Sequence, residues 1–125
     1  MDENRYLSLP NHINVICVRD QLDLKVLNAI VGKPLIGIAV ECSQQVLPFD
    51  KERLCLLTLS DESTTYLVDM LALANDPALD QILTTIVSQE SSSILGFSFK
   101  DLQQTFETHL PGMSFYKHFA NFLYV

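Results

Sequence analysis

The sequence has no apolar run long enough to cross a membrane. A membrane-spanning helix needs roughly 20 consecutive apolar residues, and no stretch of the 125 residues approaches that length. The chain starts with Met1-Asp-Glu-Asn, which lacks the basic and then apolar pattern of a signal peptide. We therefore expect an intracellular protein, cytoplasmic or nuclear, with no membrane partner.

Positive charge is also scarce. The sequence has 8 Lys and Arg residues against 15 Asp and Glu residues, for a formal net charge of -7. Affinity for nucleic acid comes largely from basic side chains that neutralise phosphates. The balance of charge therefore disfavours strong nucleic-acid binding by this chain alone.

Several motifs of cofactor sites and catalytic sites are missing. There is no glycine-rich phosphate loop, no Gly-x-Ser-x-Gly nucleophile motif and no Cys-x-x-Cys or paired Cys/His spacing for zinc. The three cysteines are predicted to be buried free thiols: Cys17, Cys42 and Cys55. The three histidines share no spacing and are predicted to lie at the surface: His12, His109 and His118. We expect no bound metal or other cofactor.

What is present predicts one α/β domain over residues 1–125. Hydrophobic residues make up 48% of the sequence, which is enough for a core at this length. Strands are expected at residues 13–19, 35–42, 53–60, 64–69, 92–97 and 121–125. Three amphipathic helices are expected: one capped by Asp20 with Leu22, Val26, Leu27 and Ile30 on its core side, one after Asp76, and one from Phe99 to Leu110. A meander of strands that passes into alternating helix and strand predicts a mixed sheet flanked by helices.

The strand at residues 35–42 carries the most informative pair of side chains. Alternate residues of a strand face opposite sides of the sheet. Ala39 and Glu41 are therefore predicted on one side, and Ile36, Ile38, Val40 and Cys42 on the other.

The order of elements and three strand sequences resemble the RNase D-like branch of the DEDD 3'-5' exonucleases. The sequences are Leu-Ile-Gly-Ile-Ala-Val-Glu-Cys at 35–42, Arg-Leu-Cys-Leu-Leu-Thr-Leu at 53–59 and Tyr-Leu-Val-Asp-Met-Leu at 66–71. The resemblance covers about residues 13–110 and implies a ribonuclease H-like fold, here in a C-terminally short version. In that family, an Asp-x-Glu motif and two later aspartates hold the two magnesium or manganese ions that cleave the phosphodiester bond.

The resemblance implies an incomplete catalytic set. Glu41 matches the glutamate of the first motif, and Asp101 resembles the aspartate of the second. Ala39 stands where the first aspartate is expected, and the third motif is expected only after Val125. Both carboxylates also have structural interpretations, because Glu41 fits the solvated end of a strand and Asp101 fits the first turn of a helix.

The C-terminal tail is rich in aromatic and apolar residues. We predict that it forms an interaction surface, because a domain that ends here leaves apolar surface and a sheet edge uncovered. The alternative is that the tail packs on its own core. The predicted surface comprises Phe115, Tyr116, Phe119, Phe122, Leu123 and Tyr124.

Three functional hypotheses follow from these observations. The leading one is an inactive exonuclease-like domain that serves as a protein-interaction or dimerisation scaffold in RNA metabolism. The second is a fragment of an active exonuclease, in which case magnesium or manganese is the expected cofactor and Ala39 is either natural or introduced. The third is a nucleic-acid-binding adaptor that kept the groove and lost the metals, which the net charge of -7 disfavours.

Overall fold

In a computed structural model, which describes residues 13–43 and 52–124, six strands form one mixed sheet. The order across the sheet is β1-β4-β3-β2-β5-β6. Strands β2, β3 and β4 form an antiparallel meander, and β1, β5 and β6 join the sheet by parallel pairing. The strands are β1 (Asn14–Val18), β2 (Leu35–Cys42), β3 (Leu54–Ser60), β4 (Thr64–Asp69), β5 (Ser93–Gly96) and β6 (Phe122–Tyr124). The predicted mixed sheet and its meander are confirmed.

Helices connect the strands, and four of them begin at a side chain that accepts backbone N–H groups. The caps are Asp20, Asp69, Asp76 and Ser98. Short polar side chains at this position satisfy N–H groups that have no partner within the helix. The helices are a 3-10 helix (Gln21–Ile30), α1 (Met70–Leu73), α2 (Pro77–Val87), α3 (Phe99–His109) and a second 3-10 helix (Phe115–Lys117).

The first of these helices differs from the prediction in its core residues. Leu22 was expected to face the core, but it is 83% exposed. The buried residues are Leu24, Leu27 and Ile30. A 3-10 helix has three residues per turn, so every third residue shares a face, whereas the prediction assumed the spacing of an α-helix.

All the buried strand residues lie on one face of the sheet. They alternate along each strand and pack against the buried side chains of the 3-10 helix, α2 and α3. The buried strand residues are Val18, Ile36, Ile38, Leu54, Leu57, Leu59, Tyr66, Val68 and Ile94. The cysteines are not among them: Cys17 is exposed, and Cys42 and Cys55 are half-buried. The three are free thiols, as predicted, but the prediction that they are buried was wrong, because only alternate residues of these apolar runs face the core.

The other face of the sheet is open over the described part of the chain. Its apolar side chains are exposed or half-buried: Val15, Cys17, Leu35, Leu56, Leu67, Leu95 and Leu123. Leu35 is 50% exposed and Leu123 is 47% exposed. We call this set the open face. None of the described helices is both long enough and apolar enough to span a membrane.

Candidate functional site

A cleft of about 380 Å³ brings together the residues that the sequence singled out. It is lined by Ala39 and Glu41 of β2 and by Asp101 of α3. Strands β2 and β5 are parallel, so their carboxyl ends point to the same edge of the sheet, and α3 begins just after β5. Crevices at the carboxyl ends of parallel strands are the usual ligand sites of such sheets.

Local structure explains why these side chains meet. Ala39 and Glu41 are exposed, whereas Ile36 and Ile38 are buried, as the alternation along β2 predicted. Asp101 lies in the first turn of α3. Its N–H donates to the Oγ of Ser98 at 3.2 Å, which fixes the start of the helix.

A glycine lets α3 approach the sheet closely. A Cβ atom on Gly96 would lie 2.8 Å from the ring of Phe122 and 3.2 Å from the side chain of Leu102. Since Leu102 belongs to α3, the missing side chain at Gly96 sets how near the helix, and with it Asp101, comes to β2.

The donor set of the cleft is small. Glu41 and Asp101 supply carboxylate oxygens, and Ala39 supplies only a methyl group. In the described ranges, neither carboxylate belongs to a group of three possible metal ligands. Two exposed carboxylates can attract a hard cation such as Mg²⁺, but a two-metal mechanism also needs a ligand that both ions share.

The rim of the cleft contains an aromatic side chain that the sequence did not single out. Phe97 is 80% exposed and lines the cleft together with Ser98 and Thr105. It was predicted as the last residue of a strand, but β5 ends at Gly96. Alternation along β5 places Phe97 on the side of Ser93 and Leu95 and not on the buried side, but it does not predict that Phe97 lines a cleft with α3.

A second cluster lies at the opposite end of α3. The side chains of Cys42, Glu52 and His109 place one ligand atom each within 4.8 Å of one another. Burial raises the pKa of the Cys42 thiol to about 11, and the hydrogen bond and the negative charge of Glu52 add to the shift. His109 was predicted at the surface but is half-buried in this cluster, and His118 is exposed, as predicted. His12 lies outside the described residues.

A β-bulge brings this second cluster together. Glu41 pairs with Leu56 but Cys42 pairs with Leu54, so Cys55 is an extra residue in β3. An extra residue changes which side of the sheet is faced by the residues on its far side, here those that precede Cys55. Leu54 therefore faces the core, the side of the sheet on which Cys42 of β2 also lies.

The pairing continues beyond the bulge and sets the position of Glu52. Ser43 N donates to Arg53 O at 2.7 Å, and Arg53 N donates to Ser43 Oγ at 2.9 Å. These bonds hold the end of β2 beside the start of β3, where Glu52 meets the last residue of α3, His109. The cluster thus combines three segments that are distant in sequence.

The predicted interaction residues of the tail divide into three groups. Phe115 and Tyr116 are buried in the core and are not available at the surface. Phe119 and Phe122 are half-buried against Phe99, with ring centroids 5.4 Å and 5.0 Å away. Leu123 and Tyr124 are exposed on β6, which is an edge strand.

Asp80 is the residue that fixes the buried part of the tail. Its carboxylate accepts the N–H groups of Ser114 at 2.9 Å and Phe115 at 2.8 Å, and also the Ser114 hydroxyl at 3.1 Å. This network ties the tail to α2. The surface prediction is therefore wrong for Phe115 and Tyr116, and it remains a prediction for Leu123 and Tyr124.

The fold is that of the RNase D-like exonuclease domains. The Nibbler EXO domain of Aedes aegypti superimposes with a TM-score of 0.70 at 15% identity, over 94% of this chain and 52% of that one. Trypanosoma brucei RNase D in complex with the RNA U12 has a TM-score of 0.69 at 17% identity, over 90% of this chain and 37% of that one. The catalytic core of RRP6 from Trypanosoma brucei has a TM-score of 0.70 at 13% identity, over 91% of this chain and 30% of that one.

These similarities define the fold and its extent. The present chain spans about half or less of each of those solved chains. No family model matches the sequence, and no curated protein matches it by sequence. The ribonuclease H-like, α/β fold predicted from the strand sequences is confirmed.

Proposed function

We propose that this chain, which has the fold of RNase D-like exonuclease domains, is a catalytically inactive member of that fold that acts as a dimerisation scaffold in RNA metabolism. The observation that carries the proposal is Ala39. It lies in the same cleft as Glu41 and Asp101, at the position where the resemblance places the shared metal ligand. A methyl group cannot bridge two metal ions, so this position lacks the shared ligand that two-metal cleavage of a phosphodiester bond requires.

The link to RNA metabolism comes from the proteins of similar fold. One of the similar structures is a complex of RNase D with an RNA, and another is an exoribonuclease involved in structured RNA processing. An intracellular location, cytoplasmic or nuclear, is part of the same proposal.

The open face supports the scaffold part of the proposal. Exposed apolar side chains such as Leu35 and Leu123 are frequent at interaction sites, and here they alternate across the strands with polar side chains such as Thr58 and Ser60. Six strands at a spacing of about 4.8 Å, with an average length of nearly 20 Å, give roughly 550 Å² for each copy. Two copies would bury roughly 1,100 Å², which is at the lower end of specific interfaces.

A second copy of this chain is the occupant that we propose for the open face. A two-fold dimer uses the same patch on both copies, and two sheets pack face to face at about 10 Å. The leucines of the open face can supply the apolar contacts of such a dimer, and the Thr and Ser side chains between them can supply hydrogen bonds. The small area predicts a dimer that dissociates on dilution.

Catalytic inactivity is tested with purified chain, labelled single-stranded RNA and DNA, and Mg²⁺ or Mn²⁺. The expected result is no shortening of either substrate from the 3' end. Metal-dependent 3' shortening that copurifies with the chain through successive columns would falsify this part of the proposal. Tight RNA binding without cleavage, weakening steeply with salt, would instead favour a nucleic-acid adaptor.

Dimerisation is tested by size exclusion with light scattering over a range of concentrations. The Leu35→Lys variant places a charge within the open face, at a side chain already 50% exposed, so folding is preserved. Its matched control is Leu22→Lys, which is 83% exposed on the 3-10 helix. We expect dimers for the natural chain and the control, and monomers for Leu35→Lys. A natural chain that is monomeric at every concentration, or a dimer that Leu35→Lys leaves intact, contradicts the proposal.

A second candidate function is a fragment of an active exonuclease. Two observations favour it: the chain spans 52% or less of the similar chains described above, and Glu41 and Asp101 still share one cleft. A longer natural chain that adds a helix with an Asp and a Tyr or His would support it. In that longer chain, Ala39→Asp should then produce metal-dependent nuclease activity.

A further inference from the structure

We propose that Cys42, Glu52 and His109 form a zinc site, separate from the cleft of Ala39, Glu41 and Asp101. One thiol, one carboxylate and one imidazole lie within 4.8 Å of one another. They come from the end of β2, the segment before β3 and the last residue of α3. A bound ion would therefore join three elements of the fold.

The chemistry of the ligands selects the metal. Thiolate and imidazole are poor ligands for Mg²⁺ and Ca²⁺, whereas sulfur, nitrogen and carboxylate oxygen together suit Zn²⁺. Three protein ligands leave one position of a tetrahedral zinc ion for water. Binding displaces the thiol proton of Cys42 into solvent, so a metal–sulfur bond replaces the S–H bond.

The distances are compatible with this geometry. Bond lengths of about 2.0–2.3 Å place the ligand atoms of a tetrahedral zinc ion roughly 3.3–3.8 Å apart. The observed separations of up to 4.8 Å need to close by about 1 Å, which small side-chain rotations achieve. Cys42 and His109 are half-buried and Glu52 is exposed, so the cluster is open to solvent on the side of Glu52.

The bulge in β3 is a second observation that favours a functional site at this end of the sheet. Bulges re-aim side chains and are frequent next to functional sites. Here the extra residue, Cys55, aligns Cys42 with Leu54 and so brings Glu52 beside the thiol.

The test is titration of the reduced, metal-free full chain with Zn²⁺ by calorimetry and with Co²⁺ by absorption spectroscopy. The expected result is one ion per chain and a sulfur-to-cobalt charge-transfer band. Cys42→Ser should abolish this band, and Glu52→Gln and His109→Gln should each weaken Zn²⁺ binding by about tenfold or more. The matched controls are Cys17→Ser and His118→Gln, whose side chains are exposed elsewhere and which should bind as the natural chain does.

Three results would overturn the zinc site: no binding at one ion per chain, binding that survives Cys42→Ser, or equal losses in the control variants. Circular dichroism of each variant checks that it is folded. Thermal unfolding gives a second readout, because Zn²⁺ should raise the melting temperature of the natural chain and of Cys17→Ser but not of Cys42→Ser. The site does not depend on dimerisation, since its ligands come from one chain, and light scattering of the zinc-loaded chain keeps the two proposals distinguishable.

Discussion

The two ends of α3 present different sets of possible metal ligands. At its amino end, Asp101 shares a cleft with Glu41 and Ala39, and the oxygens present suit hard cations but include no shared ligand. At its carboxyl end, His109 meets Cys42 and Glu52, a mixed set that suits zinc. The comparison teaches that the donor atoms at one end of a helix say nothing about the metals that the other end can bind.

The two ends are not isolated from each other. A recess of about 330 Å³ runs along α3 and is lined by Asp101 and Thr105 near one end and by His109 and Glu52 at the other. The positions of the side chains at both ends therefore depend on how α3 packs on the core. Weakening that packing should disturb both ends together.

The largest effect is expected for Phe106→Ala. Phe106 is fully buried, and its ring packs against Phe115 at 4.9 Å and Tyr116 at 5.9 Å between centroids. Replacing a buried phenylalanine by alanine lowers the free energy of unfolding by about 3–5 kcal/mol. We therefore expect a decrease of roughly 4 kcal/mol, measured by urea unfolding. Both ends of α3 should lose their ligand geometry together. The matched control is Glu107→Ala, exposed on the same helix, with an expected change below about 0.5 kcal/mol; similar losses in both variants would contradict the role of this packing.

Sequence patterns predicted one end of α3 far better than the other. The alternation of β2 and the position of Asp101 in the first turn of a helix are local features, so sequence patterns predicted the side of β2 that carries Ala39 and Glu41 and the end of α3 that carries Asp101. The second cluster depends on a bulge at Cys55 and on the contact of His109 with β2, neither of which leaves a local pattern.

The same contrast separates the correct and incorrect parts of the fold prediction. The order of strands and helices along the chain, and the antiparallel meander, follow from runs of apolar residues and from short connections, and both were confirmed. The exposure of Leu22 depends on 3-10 rather than α-helical spacing, and the burial of Phe115 depends on hydrogen bonds to Asp80 from 34 and 35 positions away. Burial set by distant contacts is what sequence patterns predict least well.

A smaller effect, specific to the amino end, is expected for Ala39→Asp. The substitution adds a third carboxylate beside Glu41 and Asp101, and repulsion between exposed like charges should lower the free energy of unfolding by about 0.5 kcal/mol. Millimolar Mn²⁺ should reverse this loss, because a hard cation neutralises the carboxylates. Denaturant unfolding with and without Mn²⁺ measures both effects.

The control for this variant is Ala29→Asp, at an exposed position of the 3-10 helix. Mn²⁺ should leave its stability unchanged. The cobalt spectrum of the cluster at the carboxyl end should be the same in Ala39→Asp as in the natural chain. If Mn²⁺ stabilises the natural chain as much as Ala39→Asp, the cleft holds the ion without a third carboxylate, and the proposed loss of metal chemistry is wrong.

The smallest effect concerns the caps of the helices, because α3 has a neutral cap, Ser98, and α2 has a charged one, Asp76. The hydrogen bond from Gln21 at 2.8 Å, together with the backbone N–H groups of Leu79 and Ala78, lowers the pKa of Asp76. A carboxyl group whose pKa is lowered in the folded state adds stability above its unfolded pKa, and this stability is lost as the pH falls through the folded pKa.

Replacing Asp76 by Ser gives α2 the kind of cap that α3 already has. At neutral pH, Asp76→Ser should be less stable by about 0.5 kcal/mol, because serine still caps the helix but loses the charge near its amino end. The difference should shrink as the pH falls below the ordinary aspartate pKa of about 3.9 and through the lowered pKa of folded Asp76, where its carboxylate becomes protonated. Urea unfolding across this range measures it, and a difference that is constant with pH would contradict the charge argument.

The reciprocal change, Ser98→Asp, returns the argument to the amino end of α3. A charged cap should stabilise this helix as it does α2, but here the new carboxylate would lie in the cleft with Asp101 and Glu41. Repulsion among the three should cancel the gain at neutral pH, so we expect almost no net change without metal and a gain with Mn²⁺. A full gain without metal would mean that solvent already screens the carboxylates of the cleft from one another, so that a carboxylate added to the cleft, at Ser98 or at Ala39, has little electrostatic effect.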